Sequence, residues 1–275
     1  MILILLSAQV AVVKWGDGEP WNTIEAGIKK IVEADVFSLD KGKKGVPDLG
    51  GYKVVIACGW QTVEKVLSAF SGNVVGAGIL PEDNLKKEKR LCGVYLVPSF
   101  MDQLALLREF LPGVKKIGVI FNVERSSSMM KNFEAAANNL GISCEKATAQ
   151  TPGQVNIALK FMKEIDAFFM VPDEVVLQDA SFKFILMASY GNLFPVYGVT
   201  REYVKAGALF SLSPDYMDMG EKAGNMAKKI LGGSKPSSLG KVYPRGEVVI
   251  NLRIAEKLGV DIPRSVMSKA KEVFK

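Results

Sequence analysis

Histidine is absent from the 275-residue chain. That absence removes a Ser-His-Asp triad, an imidazole acid or base and the ordinary zinc sites before any motif is considered. Lysine, carboxylate and cysteine chemistry stay open, and the balance shifts from catalysis toward binding. Cysteine is scarce. Cys58, Cys92 and Cys144 are widely spaced without a CxxC pair, so at most one disulfide can form. Cys58 and Cys92 flank apolar segments and read as small buried hydrophobes. No convergent set of sulfurs marks a metal site, and Met129 and Met130 read as core or helix surface. No apolar run reaches the roughly 18 residues of a membrane span. No GxGxxG follows an expected strand, which argues against a dinucleotide enzyme.

What is present is core material: 48% of residues are apolar and 23% charged. The length suits two lobes of roughly 100–150 residues each. The formal charge is +6, from 35 basic and 29 acidic residues. Many of its basic residues fall in short groups, such as Lys41, Lys43 and Lys44, then Lys86, Lys87, Lys89 and Arg90, then Lys115 and Lys116. Such groups read as solvated loops and helix ends; a nucleic-acid surface would be denser and interleaved with aromatics. No nucleic-acid partner is expected.

The opening MILILLSAQVAVVK resembles the core of a signal peptide. It lacks a basic start, is interrupted by Ser7 and Gln9, and runs into a Trp15-Gly16-Asp17-Gly18 turn instead of a cleavage site. It is read as a first buried strand at Ile2–Leu6, with any signal peptide of an exported form already removed.

Short apolar strands alternate with amphipathic helices, the pattern of α/β layers around mainly parallel sheets. Strands are expected at Asp35–Leu39, Val54–Cys58, Val74–Ala77, Gly93–Val97, Lys116–Phe121, Ala167–Val171, Val196–Tyr197, Ala208–Ser211 and Glu247–Ile250. Helices are expected at Thr23–Ala34, Thr62–Ala69, Met101–Leu111, Ser128–Leu140, Phe182–Tyr190, Tyr216–Leu231 and Leu252–Leu258. Thr151-Pro152-Gly153-Gln154 launches another by a cap with proline at the first helical position. Ser213-Pro214-Asp215 reads the same way, and a short helix is expected at the C-terminus. Both halves share this rhythm, which suggests two similar lobes.

From Lys116 onward the chain resembles the substrate-binding proteins of ABC transport systems, in the group with tryptophan- and tyrosine-binding members. KIGVIFN at Lys116–Asn122, DAFFMVPD at Asp166–Asp173, PVYGV at Pro195–Val199, VKAGALFSLSPDYMDMG at Val204–Gly220 and VINLRIAEKLG at Val249–Gly259 carry the likeness. The resemblance implies a periplasmic-binding-protein fold of type I: two Rossmann-like three-layer α/β lobes joined by three crossovers. Carried onto this chain, lobe one is 1–98 with 212–243 and lobe two is 99–211 with 244–275. It further implies a monomeric, extracytoplasmic or periplasmic receptor without cofactor, delivering a solute to a permease and its ATPase, with a lipid-anchored precursor compatible. The solute would be a small carboxylate, an amino acid and foremost an aromatic one, held in a cleft between closing lobes. A cytoplasmic ligand-sensing domain of the same fold and an α/β enzyme using lysine or carboxylates remain as alternatives.

The candidate binding residues lie at strand ends and helix starts, where N–H groups can hold a carboxylate. Asn122, Ser126 and Ser127 form a loop after a strand, with Arg125 between them; the structural alternative is a plain helix cap. Asp173 follows an apolar run and suits a ligand ammonium, or else caps a turn. Ser7 would be the counterpart in lobe one. Gly59, Trp60, Gln61 and Thr62 follow another strand, and Trp60 departs from the small residues usual in the family. Pro81 resembles the family's cleft proline. Gly198, Thr200, Asp215 and Tyr216 complete the set, with Asp215 equally suited to start a helix. Trp15 and Trp21 flank a turn and suggest an aromatic wall or a hydrophobic lid.

Overall fold

The computed structural model describes residues 8–39, 45–80, 87–162 and 164–275. These divide into two compact units, one from 8–80, 87–96 and 215–245, the other from 97–214 and 246–275. The chain begins in the first unit with β1 (Val10–Lys14), α1 (Trp21–Lys29), β2 (Asp35–Ser38), β3 (Val54–Cys58), α2 (Trp60–Ala69), β4 (Asn73–Ile79) and β5 (Leu91–Tyr95). The second unit takes α3 (Phe100–Phe110), β6 (Lys116–Phe121), α4 (Val123–Asn139), β7 (Ser143–Thr148), α5 (Pro152–Phe161) and β8 (Ala167–Phe169). It continues through α6 (Asp179–Asn192), β9 (Val196–Tyr197), α7 (Arg201–Ala206) and β10 (Phe210–Pro214). The chain then returns to the first unit for α8 (Tyr216–Leu231), α9 (Pro236–Leu239) and β11 (Lys241–Val242). Finally β12 (Gly246–Asn251), α10 (Leu252–Leu258), α11 (Arg264–Met267) and β13 (Ala270–Phe274) close the second unit.

Among the described residues the first unit holds a six-stranded sheet in the order β11-β5-β4-β3-β1-β2, and every pairing in it is parallel. Strands β1 and β3 are buried at every position, as parallel strands covered on both faces must be. From β1 the chain steps outward through α1 to β2, and from β3 it steps the other way through α2 to β4. Right-handed crossovers in opposite directions put those two helices on opposite faces. The gap between the carboxyl ends of β1 and β3 is therefore a topological switch point, where open α/β sheets receive ligands.

The second unit repeats this plan. Its sheet runs β13-β12-β10-β9-β8-β6-β7, parallel except where β10 meets β12. Here the reversal falls between β6 and β8. Its core is rich in aromatic rings: Phe169 stacks on Tyr197 with centroids 4.2 Å apart, and Phe110 on Phe210 at 3.9 Å.

Several local expectations need correction. Ile2–Leu6 lies outside the described residues, among which the first strand is Val10–Lys14. The helix expected from Ser128 begins at Val123, because Asn122 caps it. Asp215, not Ser213, caps α8, and Pro214 ends β10. The C-terminal segment ends as strand β13, paired with β12; its short charged pattern carried no helix-length apolar stripe.

Candidate functional site

At the carboxyl edge of the first unit, Gly59 takes the N-cap position of α2 at φ +92°. A β-carbon there would sit 2.7 Å from the Trp21 ring, so glycine is required both by conformation and by the indole packed over it. Among the described residues no side chain caps α2, and no acidic residue occupies its first turn. Its leading N–H groups have no intrahelical partner, and the helix dipole adds positive potential there. Trp60 is partly exposed and Gln61 exposed, whereas Thr62 is wholly buried and its hydroxyl has no hydrogen-bond partner among the described residues. Thr62 can therefore offer this edge little beyond its backbone.

Trp15 follows β1 directly, and the Lys65 ammonium stands 5.2 Å from its ring centroid. With Trp21 at the start of α1 and Trp60 at the start of α2, all three tryptophans of the chain lie at one edge. Asp215 caps α8 through the Asp218 N–H. Gly220 abuts Ile24 and Gly224 abuts Ile28, so α8 runs alongside α1 in the same direction. Tyr216 thus stands at the end carrying Trp21, and both pack on the unit's core. Cys58, the last residue of β3, is fully buried, and burial pushes its thiol up to about 12. It remains a neutral thiol at neutral pH, with no nucleophilic character.

Beneath these rings lies a charge cluster that no sequence motif announced. The Lys14 ammonium, with the residue only 4% exposed, donates to Glu25 Oε2 at 2.7 Å and Asn22 Oδ1 at 2.9 Å. It also lies 3.1 Å from Asp17 Oδ1. Burial works against the charged ammonium, but the hydrogen bonds to Glu25 and Asp17 outweigh it and raise the pKa of Lys14. Burial likewise opposes the charge on Glu25, and its bonds to Lys14 and Lys29 carry its pKa below the ordinary value. Asp17 is also lowered, first by Ser38 and then by Lys14.

At the switch point of the second unit, Asn122, Ser126 and Asp173 come together and bond to one another. Asp173 is 1% exposed. Its Oδ2 accepts from the Asn122 N–H at 2.9 Å and from Ser126 Oγ at 2.6 Å. Its Oδ1 accepts from the N–H groups of Val175 at 2.9 Å and Val176 at 3.3 Å. The cap-and-turn alternative for Asp173 is thus present in full, with acceptor sites on both oxygens engaged. The Asn122 side chain caps α4 through the Glu124 N–H, and Ser127 turns its hydroxyl to the Val123 carbonyl. Arg125 pairs with Glu174, tying α4 to the loop after β8.

Gly198 and Thr200 lie past β9, where the Gly198 N–H donates to the Phe210 carbonyl at 2.9 Å. The Thr200 hydroxyl donates to Glu202, and Ser213 Oγ receives the Arg201 N–H at 3.0 Å. Ser7 and Pro81 lie outside the described residues. Sequence reasoning missed Lys14, whose signal was a lone cation closing the apolar run VAVVK. It also missed Tyr95 and Tyr243, whose rings meet 4.9 Å apart at the ends of β5 and β11.

Two mainly parallel sheets, each reversing its strand order at a switch point, are the architecture of the type I periplasmic-binding-protein fold, and solved structures share it. A domain from Streptococcus pneumoniae in complex with L-Trp superposes with a TM-score of 0.73 at 22% identity, covering 98% of this chain and 100% of that one. A ligand-free, open substrate binding protein with adhesive properties from Clostridium difficile gives 0.68 at 18% identity, over 97% and 99% of the two chains. Residues 62–274 match the family of ABC transporter substrate binding proteins, and the chain belongs to that family. Its members bind solutes and catalyse no reaction. A tyrosine-binding protein from Clostridioides difficile (strain R20291) is 27% identical over 154 residues. That match spans 54% of this chain and 44% of the relative's length.

Proposed function

We propose that this protein is the extracytoplasmic receptor of an ABC importer, that its solute is an amino acid with an aromatic side chain, and that its two lobes close on it. The observation that carries this reading is the first unit's edge, where the uncapped start of α2 adjoins all three tryptophans. A carboxylate suits the N–H groups of Trp60 and Gln61, which offer hydrogen bonds and favourable potential at a helix start whose first turn carries no acid. A planar side chain suits the indoles, through stacking or edge contacts. Asp173 enters as the group that shapes the second unit's edge, holding Asn122 and Ser126 in place. The tyrosine-binding and L-Trp-bound relatives support the same ligand class. Closure would remove water from these contacts and strengthen them. Delivery then requires a permease and its ATPase, the partners that the family implies.

Native mass spectrometry of the purified protein, followed by calorimetric titration with the protein amino acids, tests the reading. A retained mass or a micromolar Kd for tyrosine, tryptophan or phenylalanine is expected. Binding of another solute class below about 10 μM, with no response to any aromatic amino acid, would overturn it.

A further inference from the structure

We infer that Lys14 is a positioning residue for binding, and that it fixes Trp15 and Trp21 as the platform on which the solute's planar side chain rests. The inference builds on the aromatic-solute reading above and adds the residues that set that preference.

Lys14 ends β1, and its ammonium meets three acceptors: Asn22 at 2.9 Å, Glu25 at 2.7 Å and Asp17 at 3.1 Å. An ammonium has three donors, so its capacity is filled. Two of the acceptors stand on α1, one turn apart, and the third stands in the loop joining β1 to that helix. One buried cation therefore ties a strand end, a loop and a helix start together. Trp15 is the next residue after Lys14, and Trp21 immediately precedes Asn22. The cluster thereby holds the backbone at both tryptophans. Each ring is also held from α2, with Lys65 over Trp15 and Gly59 beneath Trp21.

Stability alone is a poor reason for this arrangement. Desolvating an ammonium costs several kcal/mol, and an apolar side chain closing β1 would hold the sheet as well or better. The cluster's distinctive output is orientation. The anchoring continues outward, since Asp17 receives the Ser38 hydroxyl at 2.5 Å and Glu25 receives Lys29 at 2.6 Å. The loop carrying Trp15 is thereby fastened to β2 as well. A rigid aromatic pair on one side of the α2 start would let the site distinguish a planar side chain from an aliphatic one before any new contact is made, because little ordering cost remains.

The test uses the full chain with Lys14→Gln, and with Asn22→Ala as a milder variant at an exposed position. Acrylamide quenching of tryptophan emission is read without solute, and L-tyrosine affinity by calorimetry. At least a twofold rise in quenching is expected for Lys14→Gln and a smaller rise for Asn22→Ala, with unchanged far-ultraviolet circular dichroism. In a Trp15→Phe/Trp21→Phe background, which leaves Trp60 as the sole tryptophan, Lys14→Gln should leave emission unaltered. The L-tyrosine Kd should rise at least tenfold in both Lys14→Gln and Trp15→Ala. Wild-type quenching in both Lys14→Gln and Asn22→Ala would overturn the positioning role. Raised quenching with an unchanged L-tyrosine Kd would overturn the platform's part in binding. If the wild-type protein takes no aromatic amino acid, the ligand reading and the platform's specificity fail together, while quenching still decides whether Lys14 orders the two indoles.

Discussion

Ser126 Oγ donates to Asp173 Oδ2 over 2.6 Å, and both residues are buried. The same carboxylate holds the Asn122 N–H, so one aspartate joins the end of β6, the first turn of α4 and the loop after β8. Hydrogen bonds to a charged group are stronger than neutral ones, and stripping them leaves buried donors without partners.

Asp173→Ala is expected to lower stability by about 3 kcal/mol, and Asp173→Asn by about half as much, because an amide keeps one acceptor oxygen. Urea denaturation of the two variants measures this. A loss below about 0.5 kcal/mol for Asp173→Ala would contradict the role of a structural organiser.

Gly220 marks a second point where the backbone leaves no room. A β-carbon there would lie 2.2 Å from the Ile24 carbonyl oxygen, and one on Gly27 would lie 2.5 Å from that of Met217. Helices α1 and α8 therefore touch backbone to backbone. Gly220→Ala should force them apart at a cost of about 2–3 kcal/mol. Gly191 is the control, since a β-carbon there meets nothing within 4 Å; its replacement by alanine should stabilise α6 by up to about 1 kcal/mol. Thermal unfolding of the pair should give shifts of opposite sign.

The cluster around Lys14 sets a pH window. Glu25 and Asp17 have lowered pKa values in the folded protein, so their contribution is present above the ordinary carboxylate range and lost as pH falls through the lowered values. Lys14 is raised above its ordinary 10.5, so its contribution is complete below that value and lost only as pH climbs through the raised one. Tryptophan emission should hold steady from about pH 5 to 10 and move red below about pH 4. In Lys14→Gln the acid limb should flatten, since Glu25 then keeps only Lys29. A fluorescence titration of the two proteins checks both limbs, and an acid limb unchanged by the substitution would count against the cluster.

Much of the fold could be read from local pattern. Val54–Cys58, Lys116–Phe121 and Val196–Tyr197 are strands over the expected residues, and Tyr216–Leu231 and Leu252–Leu258 are helices. In each case apolar periodicity and a nearby cap, proline or glycine agree. Local reading failed where partners lie far apart in sequence. Val10–Lys14 takes its place in the sheet by parallel pairing with β2 and β3, partners that no local pattern names. The stretch after Asn122 looked like a loop because serines are weak helix formers. The Asn122 cap and the bonds to Asp173 outweigh that preference.

The sequence by itself determined the class of fold and the family, and with them the absence of histidine chemistry. Composition and strand-helix rhythm are properties of neighbouring residues, so the chain carries them before it folds. Tertiary structure decided what Lys14 and Asp173 do. Each is a charge whose acceptors or donors stand on separate elements, and strand order alone brings those elements to one edge. Only there does a lysine closing an apolar strand become the anchor of two indoles, and an aspartate after a buried run become the cap that holds Asn122 and Ser126.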